Sequence, residues 1–318
     1  MIALTLRLKP LTAFATPLIG DTLFGQLCWA IRHGWGEARL RALLAGYLED
    51  RPFLVVSDAF PAGFVPLPHL PARFWQGASD DPKARKALKK VAWVAHELLP
   101  QPLPEWQRLA KERRPASADP CARMQPRNSL NRLTLCTAEG EGFSPYSVRQ
   151  RWYGDGAQLE VHLRLDETRL TRDELHQAFV ALGAMGFGKD ANVGLGKFAV
   201  EALSPSPLAG QPEANAWLAL APCAPQGCGF DAAKSFYKPF TRYGRHGDYA
   251  ARLGNAFKTP LLLAAAGAVF AAPPDEDFAR GYIGQGLGGE KRLSKVLSGT
   301  VHQGYAPALP IRLPEEWA

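Results

Sequence analysis

Two runs of strict alternation constrain this chain more than any other feature. Ile2, Leu4, Leu6 and Leu8 are interleaved with Ala3, Thr5, Arg7 and Lys9, and Leu159, Val161, Leu163 and Leu165 are interleaved with polar residues in the same way. Successive side chains of a strand point to opposite faces, so each run predicts a strand with one buried face, and the first run turns a polar, basic face outward. Each run leads into a helix and then another strand. After the first, Leu23, Phe24, Leu27, Cys28 and Ile31 share one side of a helix that Asp21 or Thr22 can cap and that ends near Gly34. Gln26, Trp29 and His33 fall on its other side, where an exposed Trp predicts a covering loop or partner. Residues 53–57 form the next strand. After the second run, Thr171 and Glu174 form a capping box, the helix continues to Met185, and residues 198–203 close as a strand. Strand, helix, strand, repeated once, is the split-βαβ order of a ferredoxin-like domain.

The length of 318 residues suits two domains. Residues 1–205 make the first, with a charged helical insertion on its edge between residues 80 and 114. A Pro-rich linker follows residue 205, and residues 213–318, rich in glycine and aromatics, make the second. The 37 Lys and Arg against 30 Asp and Glu leave a net charge of +7, which suits a nucleic-acid partner and an ordinary basic enzyme equally. Placement of the charges has to decide. Five cysteines without a CxxC pair predict neither a disulfide framework nor a zinc site, and a reduced, cytoplasmic setting. The longest apolar run, residues 261–272, is too short to span a bilayer, so no membrane partner is expected.

Residues 186–198 read Gly-Phe-Gly-Lys-Asp-Ala-Asn-Val-Gly-Leu-Gly-Lys-Phe, with four glycines and two lysines between a helix and a strand. Glycine lets backbone amides approach a phosphate, and lysine adds positive charge. This is not a P-loop: Ala191 stands where the first glycine belongs, Phe198 follows Lys197, and the order is helix then strand. A polymer backbone is therefore the better ligand than a mononucleotide. A helix C-cap and turn would explain one or two glycines without function; Gly188, Gly194 and Gly196 with Lys189, Asn192 and Lys197 exceed that need. Arg127, Asn128, Asn131 and Arg132, close to Arg123 and to Arg149, Arg151, Trp152 and Tyr153, combine phosphate clamps with stacking surfaces of the kind single-stranded RNA uses. Lys238 and Arg242 lie in a second basic and aromatic set, and Lys291 and Arg292 follow a glycine-rich segment at 281–289. Catalytic signals are weak. Seven histidines form no HExxH and no metal-ligand cluster, there is no Gly-x-Ser-x-Gly elbow, and no cofactor motif is present. His33 alone could serve as an acid or base in phosphodiester cleavage, although a helix-terminal histidine is commoner.

Several motifs together carry a resemblance. Gly20-Asp21-Thr22-Leu23-Phe24-Gly25 after a first strand, Arg127-Asn128-Ser129-Leu130-Asn131-Arg132-Leu133-Thr134, the glycine loop ahead of a closing strand, Ser57-Asp58-Ala59-Phe60-Pro61, Phe236-Tyr237-Lys238-Pro239 and the end from Tyr305 to Leu313 occur in this order. The chain resembles the RAMP superfamily of CRISPR-associated proteins, and within it the fourth Csm subunits of type III-A effector complexes. That resemblance implies an α+β fold of two tandem ferredoxin-like (RRM-like) domains, with a helical insertion and a hairpin thumb, near residues 134–152, in the first. It implies a non-catalytic subunit that grips the five-prime handle of crRNA, contacts the large polymerase-nuclease subunit, abuts a backbone RAMP subunit and meets target RNA only indirectly. Gly20 and Asp21 enter as RNA-contacting candidates through their motif. A metal-independent endoribonuclease that processes CRISPR repeats shares this fold and stays open as a rival, as does a scaffold touching protein alone.

Overall fold

The computed structural model describes residues 1–76, 82–113, 115, 120–137, 144–289 and 293–314. The elements of the first half are β1 (Ile2–Pro10), α1 (Gly20–Leu44), β2 (Leu54–Pro61), β3 (Phe64–Pro66), α2 (Pro82–Leu88), β4 (Trp93–Ala95), α3 (Trp106–Glu112), β5 (Cys121–Arg127), β6 (Tyr146–Trp152), β7 (Leu159–Leu165), α4 (Arg172–Met185) and β8 (Phe198–Pro205). Those of the second half are β9 (Ala216–Ala219), β10 (Asp231–Phe236), β11 (Pro239–Arg242), β12 (Leu261–Ala264), β13 (Val269–Ala271), β14 (Tyr282–Gly288) and β15 (Val301–Ile311).

The two alternating runs are neighbours. β1 and β7 pair antiparallel with Leu4 opposite Leu163 and Leu6 opposite Val161, and the sheet order is β2-β7-β1-β8. With β1-α1-β2 and β7-α4-β8 as its two units, this is the ferredoxin-like arrangement expected for the first half. Its leucine face lies under α1 and α4, where Leu23, Phe24, Leu27 and Ile31 meet Leu175, Phe179 and Leu182 in one buried cluster. Each such side chain withdrawn from water contributes roughly 1.5–3 kcal/mol before entropy is counted. The capping box of α4 is formed in both directions between Thr171 and Glu174. α1 differs from expectation at both ends. Its N-cap is Ile19, with no side-chain cap, and the helix runs past Gly34 to Leu44 because Gly36, at φ 87°, breaks the backbone without ending it. Glycine alone tolerates that conformation cheaply.

The polar face of the sheet is not open. Thr5 is buried, and the insertion lies between this face and the second sheet rather than on an edge. Phe60, Val65, Val94, Leu98 and Trp106 share a core with Leu218, Val269, Leu309 and Ile311, so the inserted layer is the filling between two sheets. The second sheet has the antiparallel order β10-β13-β9-β15-β14. No α-helix occurs among the described residues after 205, and this order departs from the split-βαβ order expected of a second ferredoxin-like copy. Glycine-rich hairpins and single 3-10 turns stand where crossover helices would lie. Gln303 of β15, fully buried, accepts from the Val56 N–H and donates to the Val56 carbonyl, both at 2.8 Å, and Tyr305 Oη donates to the Tyr47 carbonyl at 2.9 Å. The halves are stitched through their interiors.

Candidate nucleic-acid interface

Residues 186–198 close on themselves before they can close on a ligand. Gly196 has φ 74°, and a Cβ there would lie 2.1 Å from the Phe187 carbonyl oxygen, so glycine is required for the loop's own packing. The expected amide cradle is absent in this conformation. The N–H of Gly188 donates to Gln26 Oε1, that of Lys189 to Thr16 Oγ1, that of Lys197 to Thr12 Oγ1, that of Gly194 to the Ala191 carbonyl, and that of Gly196 to the Ala13 carbonyl. Occupied donors cannot also hold phosphate. The loop is a clasp between α4, β8 and the 11–16 segment, and the polar faces of α1 and the loop meet through Gln26. What it does present to solvent is the side chains of Lys189, Asn192 and Lys197.

Beside this clasp stands the hairpin β5–β6, paired from Cys121 opposite Trp152 to Arg127 opposite Tyr146. It begins earlier than the expected 134–152, and its tip includes residues 138–143, which lie outside the described residues. β6 is anchored by buried Val148 and Gln150 and by reciprocal bonds between Phe14 and Arg151, N–H to carbonyl at 2.9 and 2.8 Å. The outer surface is left to Arg123, Met124, Arg149 and Trp152, with Arg123 over the Trp152 ring at 5.8 Å. Near the tip Leu133 is 95% exposed and Leu135 77%. Asn131 organises that turn: its Oδ1 accepts from Leu133 N–H, and its backbone carbonyl accepts from Leu135 N–H at 2.7 Å. Asn128 and Arg132 are exposed. Arg127 instead pairs with Asp190 at 3.1 Å, joining the hairpin base to the glycine loop. Lysines, arginines and uncovered apolar side chains thus share one region, the combination that binds a phosphodiester and stacks its bases.

The second-half candidates divide. Lys238 is exposed in the turn between β10 and β11, next to a Tyr237 ring stacked on Phe270. Lys291 and Arg292 lie outside the described residues. Arg242 donates to both carboxylate oxygens of Asp21, at 2.7 and 3.1 Å, and His302 Nε2 lies 3.2 Å from Asp21 Oδ2 without hydrogen-bond geometry. Burial alone would raise the Asp21 pKa; His302 and then Arg242 reverse this and hold the carboxyl below its usual range, the bidentate Arg242 contact being the better formed. Gly20 sits so close to β2 that a Cβ would lie 2.3 Å from the Val56 carbonyl oxygen. Gly20 and Asp21 are therefore internal, corrected from ligand contacts to a buried joint between the halves, with Arg242 drawn into it.

Trp29 is covered by its own chain. Tyr249 meets its ring edge-on at 5.6 Å, and the Arg32 guanidinium lies over both rings, at 5.4 Å from Trp29 and 4.7 Å from Tyr249. His33 forms an ion pair with Asp248 in the same loop. One arrangement escaped sequence reasoning: His96, Glu160 and His162 converge, with one ligand atom of each within 4.8 Å of the others. The expectation of no metal-ligand cluster is corrected. Only the alternation of Glu160 and His162 on one strand face could have signalled it.

No family model matches the chain, and no curated protein matches it in sequence. Solved structures do match it in fold. A chain of a Csm1–Csm4 cassette in complex with pppApA superposes with TM-score 0.62 at 17% identity, covering 98% of this chain and 99% of that one. A chain of the cassette in complex with cA4 gives TM-score 0.63 at 15% identity over the same shares. A chain of a Csm3–Csm4 subcomplex of the type III-A CRISPR-Cas interference complex gives TM-score 0.57 at 11% identity, covering 98% and 100%. Csm4 is the component these assemblies have in common, and the architecture shared along the whole chain is that of a Csm4-like RAMP protein.

Proposed function

We propose that this chain is a non-catalytic RNA-binding subunit of a type III CRISPR effector complex, which caps the five-prime handle of crRNA and links the large subunit to the adjacent backbone RAMP subunit. The observation that carries the reading is the end-to-end likeness to a fold found both in a Csm1–Csm4 cassette and in a Csm3–Csm4 subcomplex. The exposed surface agrees with it: Arg123, Arg132 and Arg149 of the hairpin and Lys189 and Lys197 beside it supply phosphate-neutralising charge, and Trp152, Leu133 and Leu135 supply surface for bases to rest on. The glycine loop contributes side chains, not amides. Its glycines hold the lysines in place.

The test is salt-resolved binding of crRNA with and without its handle, using the chain assembled with its large and backbone partners. Handle-bearing RNA should bind more tightly, with a logarithmic salt slope that falls as exposed Lys and Arg are removed; equal affinity for both RNAs would sink the reading. The endoribonuclease rival separates cleanly. Repeat RNA incubated with the purified chain in EDTA should remain intact, and cleavage lost on His33→Ala would establish the rival instead.

A further inference from the structure

Glu160 and His162 lie two residues apart on β7, the strand between β1 and β2, and so project from one face of the sheet. This is the face turned away from α1 and α4 and covered by the inserted layer. His96 comes from that layer, directly after β4, and its ring centroid lies 5.6 Å from that of His162. Phe60 closes the other side at 6.1 Å. His162 is 3% exposed, yet its Nε2 has no hydrogen-bond partner, and neither has the buried Nε2 of His96. Two such atoms side by side are unusual, because a polar atom withdrawn from water is ordinarily given a new partner.

The remaining contacts explain what the free nitrogens suit. His162 Nδ1 is 3.0 Å from Thr5 Oγ1, and the His96 ring is hydrogen-bonded to the Phe64 backbone. Histidines that bind metals are held in this way, with one ring nitrogen fixed by a neighbouring oxygen and the other directed at the ion. Glu160 accepts from Arg7 through Oε1 at 2.8 Å and from the Gly63 N–H through Oε2 at 2.9 Å, which orients the carboxylate and leaves a lone pair on each oxygen. Burial pushes the His162 pKa down to about 3, with His96 and Arg164 adding to the effect and Glu160 opposing it. Burial lowers His96 as well. Both imidazoles are therefore neutral at physiological pH, the form a metal needs.

We propose that His96, Glu160 and His162 bind one divalent transition metal of the zinc class, clipping the inserted layer to the ferredoxin-like sheet. Two imidazoles and one carboxylate suit zinc rather than magnesium or calcium, which prefer all-oxygen shells, and a water can complete the tetrahedron. The site lies beneath the inserted layer and owes nothing to RNA binding, so it stands or falls separately from the proposed function.

The full-length chain, stripped with a chelator and desalted, is titrated with Zn2+ while bound metal is counted by mass spectrometry and thermal unfolding is followed; Co2+ is used in parallel for its d–d absorption. One Zn2+ should be retained per chain, the unfolding midpoint should rise by about 3–5 °C at roughly 100-fold excess over Kd, and Co2+ should give a tetrahedral-type spectrum. His96→Ala, at a partly exposed position, should fold, bind at least about 100-fold more weakly as expected for loss of a ligand, and lose both the shift and the spectrum. The proposal is overturned if the wild-type chain retains no Zn2+, or if His96→Ala and Glu160→Gln retain it undiminished. Should His96→Ala fail to fold, the wild-type stoichiometry and Co2+ spectrum decide alone.

Discussion

Asp21 shows how a residue that reads as a surface cap becomes a structural joint. Its carboxylate is buried and bound by Arg242 from the second half, so Asp21→Ala should cost about 2–4 kcal/mol, somewhat under the range for a wholly buried pair because Arg242 keeps some solvent contact. With the folded pKa held below 3.8, the unfolded chain binds more protons in acid, and the Asp21 contribution, present above that value, is lost as pH falls through the depressed one. Its neighbour has the opposite sign. Burial pushes the Asp58 pKa up to about 7; the Gly20 N–H bond opposes this, and the Asp21 charge adds to it. The folded chain then holds the extra proton between pH 3.8 and about 7, and stability falls as pH rises across that window. Asp58→Asn keeps an acceptor for Gly20 and removes the charge. Its unfolding midpoint should exceed the parent's at pH 8, with the gap closing toward pH 4; because Asp58 retains partial solvent contact, an advantage of only about 1 kcal/mol is expected. An equal midpoint at both pH values would show that the carboxyl is better solvated than its position indicates.

At the scale of elements, the glycine loop and the hairpin have different jobs. Gly196→Ala should destabilise the chain by several kcal/mol and lower its midpoint, since the new Cβ meets the Phe187 carbonyl at 2.1 Å and the φ of 74° is strained for alanine. RNA affinity in the fraction that stays folded should be nearly unchanged. The hairpin should behave in reverse. Replacing Arg123, Arg132 and Arg149 together by Ala should leave the unfolding midpoint unaltered, as all three are exposed, and should reduce the logarithmic salt slope of crRNA binding by about 2, at roughly 0.7 per phosphate on single strands. An unchanged slope would place the RNA elsewhere. The hairpin was legible only in part, because its strands carry almost no buried side chains apart from Val148 and Gln150, and periodicity records burial.

For the whole molecule, the shared interior predicts one unfolding transition. Tyr282 and Tyr305 of the second half belong to the core under α1, and the inserted layer packs on both sheets. Near-ultraviolet circular dichroism and tryptophan fluorescence should report the same midpoint, and Gln303→Ala, which strands the Val56 N–H and carbonyl, should lower both together by about 2–4 kcal/mol. Separate midpoints would mean that the sheets fold independently. In assembly, the chain should co-elute with the large CRISPR subunit on size-exclusion chromatography, and Trp29→Asp should destabilise the isolated chain, because Tyr249 and Arg32 already cover that ring.

Local rules determined what lies within a few residues. The alternation in β1 and β7, the capping box of α4 and the apolar stripe of α1 each express a contact between near neighbours or one face of one element, so the first sheet could be read directly. Tertiary structure decided everything that depends on which distant face arrives opposite. It buried Asp21 against Arg242, gave the amides of the glycine loop to Thr12, Thr16 and Gln26, laid the insertion between two sheets, built the second sheet without helices among the described residues, and brought His96 to Glu160 and His162. A polar side chain looks the same in the sequence whether water or a distant partner satisfies it. Only the folded chain distinguishes the two, because desolvation is set by what packs on top.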